Sequence, residues 1–185
     1  MLWIFLLVVT VAVAWLIASY NGLVSLRNQA TNGWKQIDVQ LKRRHDLIPN
    51  LVETVRGAMK FEQNTLTQVI EARNKAIAAQ GVAEKATQEN VLTGALKQLF
   101  ALVENYPDLK SNQNVGKLQE ELVSTENRIG FARQFYNDIA TKFNTALQVF
   151  PTNMVAGQFG FKAAELFEIS ESAERLAPKV DLNIK

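Results

Sequence analysis

The sequence predicts an all-α protein, an N-terminal transmembrane helix followed by a long antiparallel four-helix bundle. Three observations carry this reading. The opening run Met1–Tyr20 contains no charged side chain. The rest of the chain repeats apolar residues at three- and four-residue steps, the period of a helix with one buried face, and shows no strand-like alternation. Only 4 prolines and 9 glycines interrupt it, so long helices are permitted.

The opening run stays uncharged as far as Arg27, and only Thr10, Ser19 and Tyr20 dilute its apolar character before Asn21. At a rise of about 1.5 Å per residue, Met1–Tyr20 spans roughly 30 Å, the thickness of a bilayer's hydrocarbon core. A cleaved signal peptide fits less well. Met1 leads straight into Leu2 and Trp3 without a basic segment, and the apolar run exceeds the usual signal length. Trp15 follows the single small-residue motif Ala12-Val13-Ala14. With no cysteine in the chain, a lipoprotein anchor is excluded as well. Trp3 and the pair Trp15 and Tyr20 sit near opposite ends, as interfacial aromatics do. Arg27 and Lys35 lie on the C-terminal flank, a small positive-inside bias that places the N-terminus outside and the body in the cytoplasm. Met1–Tyr20 is therefore expected to partner the lipid bilayer as a single-pass anchor.

Residues 21–176 are expected to form the helical domain and 177–185 a loose tail. The first stripe runs through Leu23, Leu26, Ala30, Trp34, Ile37, Leu41, Ile48, Leu51, Val55, Met59, Leu66, Val69 and Ala76. Arg44 or His45 interrupts it, and so does Glu62. Pro49 removes a backbone donor, so a kink or break is expected near Leu47–Asn50, giving one bent helix or two nearly collinear ones over 21–80. Gly81 suits a helix end. A second helix is expected over 84–105, with Val91, Leu92, Ala95, Leu99, Leu102 and Val103 inward, until Tyr106-Pro107-Asp108 stops it. Ser111 or Asn112 caps the third helix. Its seam is the cleanest in the chain: Val115, Leu118, Leu122, Thr125, Ile129, Ala132, Tyr136, Ile139, Phe143, Ala146 and Phe150. After the glycine- and phenylalanine-rich stretch 152–161, a fourth, shorter helix is expected to about Leu176, with Glu165, Glu168, Glu171 and Glu174 on a solvated face.

Composition excludes more chemistry than it suggests. Without cysteine there is no disulfide, thiolate metal site or thiol nucleophile. A net charge of +2 from 20 basic and 18 acidic residues argues against nucleic acid as a partner. His45 is the single histidine, and position 42 is Lys, so the Glu-x-x-His signature of di-iron bundles is absent. Gly157 and Gly160 lack the third glycine and preceding strand of a phosphate loop, and read as a close-packed corner. No catalytic, cofactor-binding or metal-ligating residue is assigned.

Two polar groups remain as candidates. The cluster Lys42-Arg43-Arg44 lies about 33 Å beyond Tyr20 if the helix stands upright, far past a Debye length of about 8 Å. It is therefore expected to pair within the chain or with a protein rather than with lipid. On the third helix, Thr125 and Tyr136 fall in the apolar seam, with Asn127 and Arg128 beside it. Buried polar groups need hydrogen-bond partners, and the polar break at Arg44–His45 could meet them across an antiparallel pairing. Such a network either fixes helix register or lines a ligand site.

These segments carry a resemblance. The chain resembles the LemA family of bacterial membrane-anchored proteins in Tyr20-Asn21-Gly22-Leu23-Val24 and in the run from Asn32 through Gly33-Trp34 and Lys42-Arg43-Arg44-His45-Asp46 to Pro49-Asn50-Leu51-Val52. It continues in Tyr106-Pro107-Asp108-Leu109-Lys110, Thr125-Glu126-Asn127-Arg128-Ile129, Tyr136-Asn137, Phe150-Pro151 and Gly157-Gln158-Phe159-Gly160-Phe161. Gly33 departs from the alanine common in related sequences. The resemblance implies a membrane helix, an antiparallel bundle and no catalytic residues. Some relatives act in magnetosome formation, which implies a role in membrane organisation.

The expected function is thus a non-enzymatic scaffold or adaptor that presents helix surfaces to proteins of unknown identity, including copies of itself as a homo-oligomer. An exposed flank of the 115–150 seam, the Phe159 and Phe161 corner, or Lys42 and Arg43 would supply the contact. The alternative is a ligand-binding or sensory module with a pocket near Arg44, His45, Arg128 and Tyr136.

Overall fold

A computed structural model describes residues 1–57 and 62–168. Every regular element among them is a helix. α1 runs without interruption over Leu2–Arg56, 55 residues, or about 80 Å at the helical rise. The apolar run and the first stripe are thus one rod with no linker at Tyr20. Its first part, residues 1–18, is exposed on all sides, and it is the one described helix long and apolar enough to cross a membrane. Burial begins at Leu23 and then follows the stripe through Ala30, Gly33, Ile37, Leu41, Arg44, His45, Ile48, Leu51, Val52 and Val55.

The break expected at Leu47–Asn50 is not there: Pro49 sits inside α1. Proline at 49 leaves the carbonyl of His45 without its usual helical donor. Arg73 supplies the replacement, its Nε donating to His45 O at 2.7 Å. α1 ends instead at Arg56, and Met59 lies outside the described residues. α2, Gln63–Ala78, then doubles back along α1 rather than continuing it, which is how Arg73 comes to lie beside His45. The expectation of one bent helix or two nearly collinear ones over 21–80 is corrected accordingly.

Gly81, at φ +76°, turns the chain into α3, Gly81–Val103. That positive φ is open to glycine and strained for other residues. α3 buries Ala86, Glu89, Leu92, Leu96, Leu99 and Val103, whereas Val91 faces out. A single turn, α4 (Pro107–Lys110), leads to α5, Gln113–Gln148. Of the two candidate caps it is Asn112 that acts: its Oδ1 accepts from the N–H groups of Asn114 and Val115 at 2.9 and 3.4 Å. α5 runs antiparallel to α1. Arg44 meets Glu126 at one level, and at another a Cβ on Gly33 would stand 3.4 Å from Tyr136 Cα. α5 ends at Gln148, so Phe150 does not close the seam and is exposed.

α6, Thr152–Gln158, caps the anchor end. Gly160, at φ +67°, then reverses the chain, and Phe161 N–H donates back to Ala156 O at 3.0 Å. The fourth helix expected beyond this corner does not begin within the described residues. Residues 161–168 are non-helical, laid along α5 and held by side-chain amides standing in for helical partners. Asn144 Oδ1 accepts from Ala164 N–H and its Nδ2 donates to Ala164 O. Asn137 clasps Phe167 in the same two-handed way. Glu165 and Glu168 are exposed on this strip, and Glu171, Glu174 and the 177–185 tail lie outside the described residues.

The core has three parts. Farthest from the anchor, α1, α2, α3 and α5 share Ile48, Leu51, Val69, Leu92, Leu99, Val115 and Leu122. In the middle, the extended segment joins in, placing Phe167 against Ile37, Ala86, Ile129 and Tyr136. Next to the anchor, Leu23, Phe143, Val155 and Ala156 close the body under α6.

Candidate functional site

The most unusual residues of the body form a buried ionic cluster where α1, α3 and α5 meet. Arg44 and Glu89 are almost fully buried, with side chains 3% and 4% exposed. Arg44 Nη1 lies 3.5 Å from Glu89 Oε2 and 2.9 Å from Glu126 Oε2, and Nη2 donates to Thr93 Oγ1 at 2.6 Å. Glu89 Oε1 lies 2.7 Å from His45 Nε2. A carboxylate only accepts, so the imidazole donates through Nε2. Charges removed from water must be paired and hydrogen-bonded to be tolerated; here Arg44 and Glu89 pair, while Glu89 Oε2 accepts no hydrogen bond and has only the 3.5 Å ion-pair contact. The cluster ties three helices at one level, a geometry that fixes register.

Of the sequence candidates, Arg44 and His45 share the ionic cluster, and Asn127 lines a cleft with Arg44. Thr125 is buried but its hydroxyl donates to Glu121 O of its own helix at 2.7 Å. Asn127 lines a cleft of about 200 Å³ beside Arg44, walled by Leu96, Phe100, Leu122 and Val123. Arg128 is exposed on another face. Tyr136 stands apart, between Trp34 and Phe167, where its hydroxyl donates to Glu165 O at 2.6 Å. Burial, and then the Glu165 carboxylate, raise its pKa above the ordinary 10.0 and keep it a donor. The four residues Arg44, His45, Arg128 and Tyr136 therefore do not line one pocket. Within the basic cluster, Arg43 pairs with Glu121 at 3.5 Å, half-exposed on both sides, and Lys42 is exposed.

Sequence reading placed Glu126 in the polar group expected to meet Arg44 and His45, and the Arg44–Glu126 contact is found; it missed Glu89 and Arg73. The signal was present for Glu89, which falls three residues from both Ala86 and Leu92 and so inside the buried register of α3. Among the described residues no group of His, Asp and Glu could hold a metal ion.

A second feature lies on the outer face of α1 and α5, away from α2 and α3. Phe131 is 73%, Val39 63% and Phe135 46% exposed. They border a shallow groove of about 540 Å³ that Lys35, Gln36, Gln40 and Arg128 complete. Gln40 Oε1 is buried there and accepts no hydrogen bond. Large apolar side chains are thus clustered in solvent along this groove.

At the anchor end, Phe159 and Phe161 pack against Tyr20, at ring-centroid distances of 4.8 and 5.8 Å. Arg27 lies over the Phe161 ring at 5.4 Å.

The LemA family matches residues 33–182. Protein LemA of Metamycoplasma hominis is 29% identical over 155 residues, covering 82% of this chain and 69% of the relative. Magnetosome protein MamQ 2 of Paramagnetospirillum magneticum is 25% identical over 182 residues, covering 84% and 67%. Magnetosome protein MamQ of Magnetospirillum gryphiswaldense is 25% identical over 178 residues, covering 82% and 65%.

Proposed function

The chain belongs to the LemA family, and from that premise we propose a non-enzymatic, membrane-anchored scaffold that assembles with copies of itself through the outer face of α1 and α5. The observation that carries this is the exposed strip Val39, Phe131 and Phe135 around the orphaned Gln40 acceptor. The anchor adds a geometric constraint. α1 enters the body without a linker, so copies inserted in one membrane hold the same strip at the same height. A two-fold axis along the membrane normal then brings strip against strip, an isologous contact. Confinement in the bilayer raises the effective concentration of copies and favours a contact too small to hold in free solution.

Family relatives named as magnetosome proteins support a role in organising membrane. Neither family name denotes an enzyme, and in the ionic cluster Arg44 and His45 are both engaged by Glu89. The reading places the body in the cytoplasm of a bacterial cell at the inner membrane, following Arg27 and Lys35.

The test is the mass of the full-length protein in a mild detergent or lipid nanodisc. A dimer or larger assembly that Phe131→Glu converts to monomer supports the proposal. A wild-type monomer at all loadings contradicts it.

A further inference from the structure

The anchor end of the body carries a second exposed apolar surface, and its position singles out one occupant. Gly33 lies opposite Tyr136. In an antiparallel pair each step forward on α5 is a step back on α1, so Gln148 and Val149 arrive level with Asn21 and Tyr20. The ring contact between Tyr20 and Phe159 fixes the same level independently. The tip formed by the end of α5, α6 and the adjoining corner therefore sits where the uncharged run of α1 ends.

This tip is apolar on its free side. Phe150 is 79% and Met154 66% exposed, and Val149 and Phe159 join them. Its charge is of one sign. Residues 21–37 and 139–164, which build the anchor end, contain Arg27, Lys35, Lys142 and Lys162 and no aspartate or glutamate. The acids begin just beyond, at Asp38, Asp138 and Glu165. By the helical rise Arg27 stands about 10 Å past Tyr20 and Lys142 about 10 Å before Val149, close to one Debye length of about 8 Å. Exposed aromatic and aliphatic side chains ringed by lysine and arginine are the surface that seats at an anionic headgroup boundary.

The geometry points to the α5–α6 tip as a foot: a second membrane contact, beside the anchor, that rests on anionic lipid. It depends on α1 crossing the bilayer. Anchor and foot together hold the rod at a set tilt, with the basic residues of Lys42-Arg43-Arg44 kept far above the surface. In its absence the rod would pivot at Tyr20, because one helix through a bilayer fixes height but not inclination.

The chain has no cysteine, so single cysteines at Met154, Ile17 and Glu53 carry an environment-sensitive fluorophore without interference. The full-length protein is reconstituted in phosphatidylcholine vesicles with and without phosphatidylglycerol, and quenching by lipids nitroxide-labelled near the headgroup is read. The Ile17 site reports the anchor and the Glu53 site the far end. A foot seated about 5–10 Å into the headgroup boundary requires quenching at Met154 at least about twofold above Glu53, and stronger with phosphatidylglycerol. Quenching at Ile17 with none at Met154 overturns the foot and leaves the anchor standing. No quenching at either site overturns both. A blue-shifted Met154 probe insensitive to lipid quencher means a protein contact there and overturns the proposal. Equal quenching with and without phosphatidylglycerol overturns the preference for anionic lipid.

Discussion

Arg73→Ala is the sharpest probe of how α1 tolerates a proline about two turns before its C-terminal end. Pro49 cannot donate to the His45 carbonyl, and Arg73 Nε reaches it from α2 at 2.7 Å. A hydrogen bond from a charged donor contributes about 1.5–3 kcal/mol, and Arg73 is half-buried, so a loss of about 2 kcal/mol is expected. For a protein of this size that is a fall in Tm of about 4–8 °C. In a Pro49→Ala background the residue-49 amide satisfies the same carbonyl, and Arg73→Ala should then cost about 1 kcal/mol or less. Arg73 Nη1 also donates to Asn74 Oδ1 at 3.3 Å; that loss is common to both backgrounds and cancels in the cycle. Thermal unfolding of the four full-length proteins in one detergent, followed by helical circular dichroism, gives a coupling of about 1 kcal/mol or more. An identical cost of Arg73→Ala in both backgrounds would refute the reasoning.

Glu89→Ala strands the buried Arg44 with Glu126 alone, and should cost about 3 kcal/mol, the low end for a broken buried pair because Glu126 still holds Arg44 at 2.9 Å; denaturant unfolding measures it, and Arg44→Met combined with Glu89→Leu should recover most of the loss. Gly33→Ala should raise Tm by about 2–4 °C, since alanine gains about 1 kcal/mol in a helix interior and its methyl meets Tyr136 Cα at 3.4 Å, an ordinary contact. A fall in Tm would show that α1 and α5 are packed more closely there. Tyr136, with a pKa raised above 10.0, binds its proton more tightly folded than unfolded. Its contribution to stability is complete below about pH 10 and is lost as pH rises through the raised value. Tyr136→Phe should flatten that alkaline slope in Tm against pH.

The parts legible in the sequence were those decided locally. The uncharged run, the Asn112 cap, the turn at Gly81 and the seam of α5 each depend on neighbours within a few residues, where periodicity and capping chemistry apply. The misread parts were decided by distant groups. Pro49 looked like a helix breaker because nothing nearby showed that Arg73 would replace its missing donor. The segment after Gly160 looked helical from the three-residue steps of Glu165 and Glu168. Its extended course depends on Asn137 and Asn144, two turns apart on one face of α5, whose amides satisfy the backbone. The ionic cluster was half legible: Arg44 and His45 stood out in an apolar stripe, whereas Glu89 was hidden as one acid among many. Partnering across three helices leaves no trace in spacing along one of them.

Self-assembly through the α1–α5 face is tested most directly by disulfide cross-linking in native membranes. The cysteine-free chain takes one cysteine at Phe135, or as a control at Glu53, at the end of the body far from the anchor. Mild oxidation should trap a dimer through Phe135→Cys and leave Glu53→Cys monomeric. Monomer at both positions, or equal dimer at both, would contradict assembly through this face.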